Sequence, residues 1–90
     1  MLTLEDGRRV LRQDPESETD LIITDLLAAV PAYIETTTGM SAEAQKDCAL
    51  CDTAGTFLLR LWFFPDGADS EKLQRVVDNL LKTISAMTRK

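Results

Sequence analysis

Cys48 and Cys51, in the run Cys-Ala-Leu-Cys, are the residues with the most chemistry to offer. Their spacing suits a redox pair or half of a zinc site. A structural zinc takes four ligands, and the chain holds two cysteines and no histidine. A thioredoxin-like pair sits where a strand gives way to a helix, and no strand–helix–strand pattern surrounds this one. Both cysteines therefore read as small apolar residues at i and i+3 on one helix face, a common place for reduced cysteine. Glu16, Glu18 and Asp20 read as charges at a helix start, and Ser41 and Ser70 as helix caps rather than nucleophiles. There is no glycine loop to cradle a phosphate and no nucleophile with a partner base. The sequence thus predicts no enzymatic reaction, no cofactor and no metal.

The elements that position these residues are helices. Thr3 precedes Leu4-Glu5-Asp6, a hydroxyl cap with an acid at N3, which opens a short helix to about Arg12 that Gly7 weakens. Asp14-Pro15-Glu16 supplies a second start, with Asp14 as cap and Pro15 at N1. Leu21, Ile22, Leu26, Ala29, Val30, Tyr33 and Ile34 then recur at three- and four-residue steps and predict one core-facing stripe. Pro31 falls inside that helix and predicts a kink near residues 27–31. Gly39 ends it as the C′ residue. Ser41 caps a helix predicted to run on to Phe64, and Phe64-Pro65-Asp66-Gly67 is a turn. Ser70 caps a last helix with Leu73, Val76, Val77, Leu80, Leu81, Ile84 and Met87 near heptad spacing. No segment alternates at period two. The expected fold is all-α, a single domain over residues 1–90 built as a small bundle of one short and three longer helices.

Size and charge narrow the functions. A 90-residue chain hides only about 60–65% of its unfolded surface, so partners are a real prospect. Apolar residues make up 44% and charged residues 28%, values of a globular chain. The longest unbroken apolar run is Leu26-Leu-Ala-Ala-Val30, and nothing near the amino terminus resembles a signal peptide, so a soluble intracellular domain without a membrane is expected. The net charge of −5 has the wrong sign for a protein that grips nucleic acid. Residues 1–39 carry eight acids and three bases, while residues 70–90 carry two acids and five bases, Arg89 and Lys90 among them. Acidic front and basic tail could meet within one chain or between copies.

The order of motifs in the first half resembles a known family. Met1-Leu-Thr-Leu-Glu-Asp, then Leu11-Arg-Gln-Asp, the helix from Leu21 to Ala29, Tyr33-Ile-Glu and Thr38-Gly39 look like the opening of phage head–tail connector (adaptor) proteins of long-tailed phages. The likeness covers residues 1–39; beyond them it is one of pattern, an apolar helix with a large aromatic end and a leucine-rich last helix. Where that family often has a tryptophan–tyrosine–glutamate–asparagine–arginine run, this chain reads Trp62-Phe63-Phe64-Pro65-Asp66. Pro31 and Gly7 also depart from the family. The resemblance implies a structural virion protein, encoded by a phage or prophage and assembled in the bacterial cytoplasm. It would form a ring between the portal and the head-closure and tail proteins, extending the channel through which double-stranded DNA passes without specific binding. The other reading is a small homodimeric helical module for protein interaction or regulation.

From Phe57 to Phe64 only Arg60 is polar. That stretch is apolar nearly all round, and two or three other helices must cover it. Leu58, Leu61 and Trp62 fill a broad face, leaving Leu59 and Phe63 on a second one. Either the short first helix closes over them through Leu4, Val10 and Leu11, or a neighbouring subunit does. Leu59, Phe63, Phe64, Arg89 and Lys90 are therefore the candidate interface residues.

Overall fold

The first helix, α1 (Leu4–Leu11), begins as its sequence dictates. The Asp6 amide donates to Thr3 Oγ1 at 3.2 Å, and the Thr3 amide donates to Asp6 Oδ2 at 2.9 Å, a reciprocal capping box. Gly7 has a packing reason: a Cβ there would lie 2.6 Å from Ile23 Cγ2, so its absence lets α1 press against the second helix. The computed structural model, which describes residues 2–88, contains five helices and, among those residues, no strand. The all-α bundle is as expected, with one additional single-turn helix.

Helix α2 (Ser17–Thr38) starts later than expected. Its first bond runs from the Asp20 amide to the Glu16 carbonyl at 2.8 Å, and no side chain caps it, so Asp14 and Pro15 form a connector. The start is set from across the fold: Arg8 Nε and Nη2 donate to Asp20 Oδ1 and Oδ2 at 2.9 and 2.6 Å, tying α2's first turn to α1. The chain stays helical through Pro31 and ends at Gly39, whose φ of 84° takes the left-handed conformation glycine allows. By length and composition α2 could cross a bilayer, with a mean hydropathy of 1.2. It packs instead against every other helix of the bundle.

Ser41 caps α3 (Ala42–Gln45), its Oγ accepting from the Ala44 amide at 3.2 Å. The helix then stops, and the single helix expected from Ser41 to Phe64 is two. Gln45 is buried, its carboxamide donating to the Pro31 and Met40 carbonyls, and this anchors α3 on the side of α2. The chain must turn at Lys46–Asp47 before α4 (Ala49–Phe63) can run along the core. The expected turn at Phe64–Gly67 is present, closed by the Gly67 amide on the Phe64 carbonyl at 3.0 Å. It leads to α5 (Ser70–Thr88), which packs on α4 and α2. Leu11, Ile23, Ile34, Leu58, Leu59, Val77 and Ile84 form the fully enclosed centre.

Candidate functional site

The cysteine pair is built differently from a pair on one helix face. Cys48 is the N-cap of α4, in extended conformation, and its Sγ accepts from the Cys51 amide at 3.3 Å. Cys51 lies in the first turn, and its Sγ contacts Met40 Sδ at 3.5 Å. Both are buried and reduced. Burial first, and then the hydrogen bond with Cys48, push the Cys51 thiol up to about 12. A redox or nucleophilic cysteine needs the opposite shift. Among the described residues no group of three or more acidic or cysteine side chains is placed to hold a metal ion.

The interface candidates separate. Leu59 has 0% of its surface exposed, so it belongs to the core and is closed to any partner of the folded chain. It shares that core with Leu11 of α1, which packs on both α2 and α4, with Leu4 and Val10 against it. Phe63 is half-buried. Phe64 is 45% exposed, and its ring meets Phe63 edge to face with centroids 4.8 Å apart. A second edge-to-face pair, Tyr33 and Trp62 at 5.4 Å, joins α2 to α4. Arg89 and Lys90 lie outside the described residues.

The stripe expected along α2 is also corrected. Leu21 is 67% and Ile22 53% exposed, and Ala29 faces solvent with Ala28 and Ala32. The inward positions are Ile23, Val30 and Ile34, with Leu27 half-buried between them. The seven residues of the expected stripe span too wide an arc to face one neighbour. Contact with α1 at Gly7 selects the arc centred on Ile23. An apolar ridge is thereby left at the acidic start of α2.

A basic groove was not foreseen from the sequence. It runs between the carboxyl ends of α1 and α4, encloses about 660 Å³, and is lined by Arg9, Val10, Arg12, Arg60 and Phe64 among others. Arg60 and Phe64 also border a smaller groove of about 250 Å³ that reaches Asp69 and Leu73. Two signals existed: Arg60 as the sole polar residue from Phe57 to Phe64, and Arg8, Arg9 and Arg12 as all the bases of an acidic front. Arg8 is spent on Asp20, and the rest converge on the groove only in three dimensions. The arrangement offers cationic hydrogen-bond donors beside an exposed ring. No family model, curated protein or solved structure matches this chain.

Proposed function

We propose that the chain is a structural subunit of a phage head–tail junction, a non-enzymatic protein whose copies form a ring beneath the portal. The ring extends the DNA channel and receives the head-closure protein; duplex DNA only passes through it. The order of motifs over residues 1–39 supports the family. The observation that carries an assembly role is the ridge of Leu21 and Ile22, two large apolar side chains held out to solvent on a helix long enough to serve as a wall. Such groups are costly if always wet, and contact between copies would cover them.

Light scattering of the protein mixed with a portal protein tests this. A complex carrying many copies of the 10.0 kDa chain is expected. The double change Leu21→Glu and Ile22→Glu should abolish it while leaving helical content and melting cooperativity intact. A chain that remains a 10.0 kDa monomer with and without portal overturns the reading. A stable dimer indifferent to portal favours the homodimeric interaction module instead.

A further inference from the structure

We infer that the groove between the carboxyl ends of α1 and α4 is a docking site for an acidic, extended segment of another protein, one bearing a large apolar side chain among its carboxylates. A monomer would carry this groove as well as a ring would, so the inference does not depend on the assembly reading. Charge complementarity carries it. In a chain of net charge −5, Arg9, Arg12 and Arg60 converge on one groove. Neither the Arg12 nor the Arg60 side chain makes an ion pair or hydrogen bond among the described residues, and Arg9 reaches only Asp6, at 3.5 Å.

Arg12 ends α1 as its left-handed cap, with φ of 55°, its amide on the Arg9 carbonyl and the Gln13 amide on the Arg8 carbonyl, and the same residue lines the groove. The helix dipole favours cations near a carboxyl end but does not account for a groove shared by two helices. Phe64 supplies the apolar part: its exposed ring is braced by Phe63 and stands beside Arg60 on the wall common to both grooves. Guanidinium forks pair with carboxylates two bonds at a time, and a fixed aromatic edge anchors the side chain between them.

Among the described residues Asp6 alone pairs with these arginines, at Arg9; Asp14, Glu16 and Glu18 form no ion pair with them. Duplex DNA fits it less well. Asp69 lines the adjoining groove and Asp66 precedes it in the turn, and three cations release few counterions.

The test is fluorescence anisotropy with a labelled acidic peptide, acetyl-EEDLFEDE-amide, at low salt. Saturable binding that weakens with added salt is expected. Arg12→Glu, Arg60→Glu and Phe64→Ala should each weaken it about tenfold or more, a loss of about 1.4 kcal/mol. Arg75→Glu on α5, away from the groove, should leave it unchanged. Amide chemical-shift changes on the unaltered protein should fall on residues 9–13, 60 and 64, which keeps the test valid if a variant misfolds. The proposal is overturned by absence of saturable binding, by equal losses in the Arg75 variant, or by tighter binding of a duplex of equal charge. Self-association that Arg12→Glu abolishes also overturns it, because the occupant is then a second copy.

Discussion

The carboxamide of Gln45 donates to the carbonyl of Pro31, 3.0 Å away and fourteen residues earlier, and this bond pins the one-turn α3 to the middle of α2. The same nitrogen donates to the Met40 carbonyl at 2.9 Å, so both amide hydrogens are used inside the protein. Gln45→Ala removes one buried and one partly buried bond and leaves a void. It is expected to cost about 2–4 kcal/mol in urea unfolding. A loss below about 0.5 kcal/mol would mean that α3 is held by other contacts.

Gly7→Ala tests how closely α1 approaches α2. Alanine is the better helix former by about 1 kcal/mol, so an isolated helix would gain. Here the new methyl would meet Ile23 Cγ2 at 2.6 Å, inside contact distance of a fully buried side chain. The variant should lose about 1–3 kcal/mol by thermal or chemical denaturation. A gain in stability would show that the two helices can separate without cost.

Leu59 and Phe64, five residues apart on one helix and its cap, should respond in opposite ways. Leu59→Ala empties a fully enclosed site and is expected to cost about 3 kcal/mol or more. Phe64→Ala removes a ring only 45% exposed and resting on Phe63, outside the core, and should cost about 1 kcal/mol or less. Equal losses would contradict the division into core and surface.

Cys48 and Cys51 make separable predictions. Serine at position 48 can accept from the Cys51 amide as the thiol does, so Cys48→Ser should be better tolerated than Cys48→Ala by about 1 kcal/mol. Cys51 titrates only near 12 because it is buried. At pH 8 it should react with a disulfide reagent no faster than the protein opens. Rapid labelling of native Cys51 would place it in a different environment.

Acid should loosen the joint between α1 and α2. Hydrogen bonds from Arg8 hold the Asp20 carboxyl below the usual carboxylate range, and the Thr3 amide does the same for Asp6. A depressed native value means that the unfolded chain takes up protons first. The stabilisation is therefore complete above the ordinary carboxylate range and is lost as pH falls through the lowered native values. Melting temperature followed from pH 7 to pH 2 should fall less steeply in Asp20→Asn than in the unaltered chain; identical slopes would remove this pair from the acid response.

Much of the local structure was decided within a few residues of chain. Thr3 with Asp6, Ser41 with the Ala44 amide, Gly39 at a helix end and the turn from Phe64 to Gly67 satisfy backbone groups that lie three or four positions away. Periodicity near 3.6 then settles that the chain is helical and that no strand forms among the described residues. It gives the angle between two side chains on one helix but not the direction of the neighbour. The tertiary structure alone decided that Ile23 and not Leu21 or Ile22 turns inward, because α1 closes on α2 at Gly7. It decided that the third segment breaks before Cys48, because Gln45 is held by a carbonyl fourteen residues earlier. It also buried Leu59 in the core and brought Arg9, Arg12 and Arg60 to one groove, since sequence separations of about fifty residues carry no angular information until the helices pack.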